Sequence, residues 1–262
     1  MMIRLRMVPA LVLLLLLCAA VAMAAPTAKP AAKPAAQPPV DAQSRAVLEK
    51  MASFLASTKA FSVRADVCNE DVLPSGVKVQ RCSSSEAFVQ RPDMLHVTAV
   101  GDLANRSMWY DGKMFSVLFP AKKLYVTAEA PPTLDAAMDW VMQKTGVTLP
   151  MADYFYSDPL PGLLEGVRLS HYLGDSDVMG VKCQHLAFKQ ANINWQVWVE
   201  DSATPVPRKV VIDYKTDPGA PQYTALLYDW KFPETLPADL FVFTPPEGAS
   251  RMQLVMSTAE VK

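Results

Sequence analysis

The chain lacks the short signatures that most often betray an enzyme. It has no G-x-S-x-G, no H-E-x-x-H, no C-x-x-C and no glycine loop of the phosphate-cradling kind. Histidine is scarce, at 3 in 262 residues, and the carboxylates do not cluster. Acid–base and metal chemistry therefore have few side chains to draw on. We expect no catalytic set, no metal and no cofactor. Charge of one sign is also missing: 25 Lys and Arg stand against 26 Asp and Glu, evenly mixed, for a net charge of −1. Without a basic patch we expect no nucleic-acid partner. Two acidic groupings have plainer readings than catalysis. Gly174-Asp175-Ser176-Asp177 sits where a hairpin turn is expected, and Asp135 and Asp139 share a helix face whose first turn favours acids.

Long apolar runs are rare too. The one present opens the chain. Arg4 and Arg6 precede an apolar stretch, Ala10 to Ala22, and Ala22-Met23-Ala24 supplies the small-x-small site of a signal peptidase. The stretch falls short of the about 20 residues a membrane span needs. Residues 1–24 thus read as a cleaved secretory signal peptide, which makes the protein exported, periplasmic in a cell with two membranes. No transmembrane segment is expected in the mature protein. Cys18 raises lipidation as an alternative, against which stand its place inside the apolar run and Leu17 before it. Losing Arg4 and Arg6 takes the formal charge from −1 to −3. Residues 25–40, rich in Pro, Ala and Lys, form an extended tether with nothing large to bury. Residues 41–262 are left as one domain, a fitting length for a single β barrel or sandwich.

Within that domain the periodicity alternates between helix and strand. Asp41 caps a helix over 42–57, with Val47, Leu48, Met51, Phe54 and Leu55 on one face. Period-two patterns predict strands at Phe61–Cys68, Val77–Val89, Met94–Val100, Arg106–Tyr110, Lys113–Phe119 and Leu124–Thr127. Thr133 and Gly146 bracket a second helix striped with Leu134, Ala137, Met138, Val141 and Met142. Residues 149–165, with three prolines, hold short helical turns. Strands resume at Val167–Leu173, Val181–Lys189, Ile193–Glu200, Arg208–Lys215, Tyr223–Phe232 and Phe241–Thr244. The fold class is α+β, mostly antiparallel β. About eleven strands in one sheet must curl strongly or split. The architecture that satisfies both helices is an incomplete, half-open barrel with helices covering the concave face. A two-sheet sandwich is the alternative.

Pro74-Ser75-Gly76 suits a type I turn closed by a left-handed glycine. If Leu73 pairs with Val77 across it, Cys68 faces Cys82 as a non-hydrogen-bonded pair with Cα atoms about 4.5 Å apart, within disulfide range. An exported protein would close that bond. Cys183 remains. It shares a strand face with His185, but two ligands are too few for a metal, and a buried thiol is the simpler reading.

Several segments carry a family resemblance: Arg91-Pro92-Asp93, Tyr110-Asp111-Gly112-Lys113, Leu149-Pro150-Met151-Ala152-Asp153, His185-Leu186-Ala187-Phe188 and Trp195-Gln196-Val197-Trp198. Pro205-Val206-Pro207-Arg208-Lys209, Ala220-Pro221-Gln222-Tyr223, Asp229-Trp230 and Phe243-Thr244-Pro245-Pro246 extend it across nearly all of the mature domain. In that order they resemble a family of bacterial exported proteins, domain-of-unknown-function family 2092. The resemblance implies a fold like that of the periplasmic lipoprotein carriers of the LolA and LppX group, and no established activity. The Cys68/Cys82 pair stands outside the family pattern.

Two functions fit this shape. In the first, the concave face of the half-barrel holds a hydrophobic ligand, a lipid or lipoprotein acyl chain. The candidate lining is Met138, Val141 and Met142 on the second helix, with Trp195, Trp198 and Trp230 on the strands. Thioethers adapt to irregular cargo. Trp195 and Trp198 lie three apart on a strand, so at most one looks inward. In the second, the core is packed shut and the protein is a non-enzymatic interaction or regulatory module with an envelope protein as partner.

Overall fold

The structure is a computed structural model that describes residues 39–102, 104–147 and 149–252. The expected leader, and the tether as far as residue 38, lie outside the described residues. Val40, assigned above to the tether, is buried against the core.

Helix α1 spans Ala42–Ser57. Asp41 caps it, accepting from Ser44 N–H, and ties it to the sheet, its own N–H donating to Ser170 Oγ at 2.8 Å. Leu48, Met51 and Leu55 form its buried stripe. Six strands follow as an antiparallel meander: β1 (Ala60–Val72), β2 (Lys78–Gln90), β3 (Met94–Gly101), β4 (Asn105–Asp111), β5 (Met114–Phe119) and β6 (Leu124–Glu129). Helix α2 spans Leu134–Thr145, capped by Thr133 and ended by Gly146 in the left-handed conformation that a Cβ disfavours. Between Ala152 and Phe155 the chain makes one tight turn, and α3 (Leu160–Leu164) follows. A second meander then runs through β7 (Leu169–Val178), β8 (Val181–Lys189), β9 (Asn194–Glu200), β10 (Pro207–Asp213) and β11 (Gln222–Lys231).

The two meanders are one sheet. Strand β11 pairs antiparallel with β1, so the order is β12-β6-β5-β4-β3-β2-β1-β11-β10-β9-β8-β7, where β12 (Ser250–Arg251) adds parallel to β6. The sheet curls without closing. This is the half-open barrel expected, with twelve strands rather than eleven, and the sandwich is excluded. The turn at Pro74–Gly76 sets the register as foreseen: Gly76 has φ 83° and donates to Leu73 O at 2.8 Å. Cys68 then faces Cys82 with Cα atoms 4.1 Å apart, and the two are disulfide-bonded.

Two expectations fail, each for a physical reason. Residues 174–180 read as a turn in the sequence, yet β7 continues to Val178. Gly174, at φ 89°, absorbs a bulge after Tyr172, pairing with β8 resumes, and only Met179-Gly180 turns. Residues 241–244 have a strand-like pattern but form no strand. Instead a tight turn at Ala238–Phe241 leads into an extended segment lying over the convex face, with Phe243 5.0 Å from Trp109 between ring centroids. Prolines 237, 245 and 246 remove the donors a ladder strand needs.

Candidate functional site

Side chains on the concave face form rows that cross the strands, and their sizes decide where space is left. One row is Phe61–Val89–Leu95–Tyr110–Phe115, all large. The next is Val63–Ala87–Val97–Met108. Then come Ala65–Ser85–Ala99–Arg106 and Val67–Ser83–Gly101, and last Tyr223–Asn69–Arg81. Alanines and serines on three neighbouring strands cannot fill the hollow of a curled sheet. Helix α2 and residues 149–155 roof it without entering it. The result is a cavity of about 570 Å³, floored by Val63, Ala65, Ala87 and Val97 and roofed by Met138 and Val141.

A second, more open cavity of about 600 Å³ lies over β9 and β10, against Leu163, Trp195, Val210 and Ile212. Met151 and Tyr154 border both cavities, so residues 149–155 are the wall between them. The wall and the two residues after it are fastened from two sides. Arg91 Nη1 donates to Phe155 O at 2.6 Å. On α2, Asp135 accepts from Ser157 N–H at 3.0 Å and Ser157 Oγ at 2.5 Å, and Asp139 accepts from Tyr156 O–H at 2.5 Å. Asp153 packs where Gly162 has no side chain; a Cβ there would fall 2.3 Å from Asp153 Oδ1. Burial raises the pKa of that carboxyl. Burial also lowers that of Arg91, whose Nε and Nη2 have no partner among the described residues.

The residues proposed from sequence divide. Met138 and Val141 line the first cavity, while Met142 sits half-buried on the same helix outside it. Trp230 also lines it. That placement depends on a bulge: Asp229, at φ 53°, shifts the alternation of β11 so that Trp230 joins Tyr223 and Leu227 on the concave side. Trp195 is concave as well, but it stacks on Phe188 at 4.0 Å and borders the second cavity. Trp198 is not a lining residue. The alternation of β9 turns it to the convex face, where it stacks on His185 at 3.9 Å under Lys209. Ala65, Ala87, Ala99 and Ser83 also line the cavity but carry no pattern of their own in the sequence, and Tyr154 and Tyr223 reach it only through the turn at Ala152–Phe155 and the register of β11. Cys183 is free and buried, and no group of three His, Cys, Asp or Glu among the described residues is arranged to hold a metal.

An open antiparallel half-barrel with an apolar hollow under helices is the class that this geometry defines. Residues 44–255 match the family described as "Predicted periplasmic protein (DUF2092)", and the chain belongs to it. Among solved structures, it is similar to lipoprotein LppX of Mycobacterium tuberculosis at 14% identity, covering 74% of this chain and 98% of that one, with a TM-score of 0.46. It is similar to an uncharacterized conserved protein of Thermus thermophilus at 10% identity, over 80% and 99%, with a TM-score of 0.46. A LolA superfamily protein of Nitrosomonas europaea aligns at 12% identity over 78% and 98%, with a TM-score of 0.37. No curated protein matches. Among the described residues no helix is long and apolar enough to cross a membrane.

Proposed function

We propose that the protein is a periplasmic carrier that holds a lipid or acyl chain, without turning it over, in the cavity between the sheet and α2. Residues 1–24 would direct export and be cleaved off in the process. The observation that carries the reading is the row of small side chains, Ala65, Ser85 and Ala99, beneath a cavity of about 570 Å³. A core selected only for stability would be close-packed there. The volume falls in the range of about 300–1,000 Å³ typical of ligand pockets. The lining is apolar where α2 covers it and polar toward the β1–β2 turn, as an amphiphile requires.

The test is native mass spectrometry of the mature protein purified gently from its own envelope, with lipid extraction alongside. Bound mass matching a lipid, lost on Met138→Asp, supports the carrier. A bare mass together with no uptake of a neutral fluorescent probe such as N-phenyl-1-naphthylamine refutes it, and an envelope protein partner becomes the reading to pursue.

A further inference from the structure

The cavity is graded along the strands, and its polar end has donors without a hydrogen-bond partner among the described residues. At the covered end stand Phe115, Leu95 and Met138. At the other end stand Asn69, Ser83, Arg106 and Tyr223. The acids near that end are compensated: Glu70 pairs with Lys78 at 2.9 Å and Asp71 with Arg81 at 2.5 Å. Asp217 is exposed to water. Arg106 is different. It is half-buried, faces the cavity from the row of Ala99, and has no hydrogen bond or ion pair among the described residues. The side chains of Asn69, Ser83 and Tyr223 make no hydrogen bond among them either. Burial raises the pKa of Tyr223, so its phenol stays a donor at neutral pH.

A guanidinium offers donors only and matches a carboxylate fork in shape. One uncompensated cation also matches one negative charge better than the nearly two of a phosphate monoester. With the Met151–Tyr154 wall in place, the continuous space suits a single chain. The geometry points to a long-chain fatty acid as the ligand, its carboxylate on Arg106 and its chain running over Ala65 and Ala87 toward Met138 and Phe115. This inference rests on the carrier reading and assigns its ligand class.

The experiment compares oleate, oleyl alcohol and oleyl phosphate as displacers of N-phenyl-1-naphthylamine from the mature protein, unmodified and as Arg106→Gln and Arg106→Lys. Losing a hydrogen-bonded charge pair in a partly buried site lowers affinity by about 10- to 100-fold. Oleate should therefore bind that much more tightly than oleyl alcohol. The gap should collapse in Arg106→Gln, persist in part in Arg106→Lys, and shrink with added salt in the unmodified protein. The salt series needs no variant, so a poorly folding Arg106→Gln leaves the inference testable. Equal binding of oleate and oleyl alcohol overturns the assignment of the head group while leaving the carrier reading intact. A preference for oleate that survives in Arg106→Gln, or tighter binding of oleyl phosphate than oleate, also overturns it. Binding of none of the three overturns both.

Discussion

Ala65→Phe separates a ligand cavity from a closed core by the sign of two effects. Ala65 is 5% exposed, stands on the central strand β1 between Ser85 and Leu227, and faces the cavity. In a close-packed core, a ring added there would force neighbours off their rotamers and cost about 1–3 kcal/mol. Here the ring enters space already empty. Burying a Phe side chain contributes about 1.5–3 kcal/mol at most, and some of that is lost to imperfect fit and ordering, so a net gain of about 1 kcal/mol is expected. For a domain of this size that raises Tm by about 2–4 °C. The ligand suffers oppositely. The ring displaces three or four methylenes of a bound chain, each about 0.8 kcal/mol, which weakens binding by about 3 kcal/mol or roughly 100-fold. Thermal denaturation and displacement of N-phenyl-1-naphthylamine by oleyl alcohol read the two effects separately. A lower Tm with unchanged probe binding would refute the reasoning, since the space would then be neither empty nor used.

Four further outcomes are expected. Replacing Cys68 and Cys82 by serine, 14 residues apart, should cost about 3 kcal/mol by loop entropy and lower Tm by about 6–12 °C. Probe binding should persist, because the pair points to the convex face. Stability should decline as pH falls below about 6.5, the ordinary histidine value. His96, half-buried and stacked between Phe88 and Trp109, and His185, stacked on Trp198, both have lowered pKa values, chiefly from desolvation. The unfolded chain therefore takes up protons first, and the loss levels off once pH passes below the folded values. Denaturant midpoints across pH should show this slope, flatter in His96→Gln. Asp135→Asn should loosen the two hydrogen bonds to Ser157 by about 1 kcal/mol, seen as faster hydrogen exchange at the Ser157 amide with little change in Tm. Asp41→Ala removes the α1 cap and the bond that the Asp41 carboxylate accepts from Ser170 Oγ, while its backbone N–H still donates to Ser170, and should cost about 1–2 kcal/mol in chemical denaturation.

What the sequence disclosed follows from the range over which each signal acts. Element order, both long helices and the Cys68–Cys82 pairing depend on neighbours or on one short turn, so all were legible. The cavity was not. It exists because Ala65, Ser85 and Ala99 fall in one row, and they come from three strands whose registers must all be known. A single bulge at Asp229 redirects Trp230, and a bulge after Tyr172 carries β7 through what reads as a turn. Asp135 and Asp139 were explained by the helix dipole. That fits their position on α2, but their hydrogen bonds fasten Tyr156 and Ser157, a contact across 17 to 22 residues that no local pattern announces.

An unfilled concave face forgoes packing that an ordinary core would have, so stability has to come from elsewhere, and the convex face shows where. Phe88, His96, Trp109, Phe243 and Tyr125 form a continuous ladder across β2, β3, β4, the C-terminal segment and β6, with neighbouring ring centroids 4.8–5.9 Å apart. Cross-strand aromatic pairs of this kind each contribute about 0.5–1.5 kcal/mol beyond their burial. The Cys68–Cys82 bond pins the hairpin of β1 and β2, the two strands that supply most of the cavity floor. Truncating half-buried Phe243 to alanine removes the ladder's link between Trp109 and Tyr125 and should cost about 1–2 kcal/mol, less than the about 3–5 kcal/mol of a fully buried Phe. If the two faces are divided in this way, Phe243→Ala lowers Tm while oleyl alcohol still displaces the probe at unchanged concentration. A matching loss of binding in the folded variant would show that floor and ladder are one unit, and that the cavity's shape depends on the packing behind it.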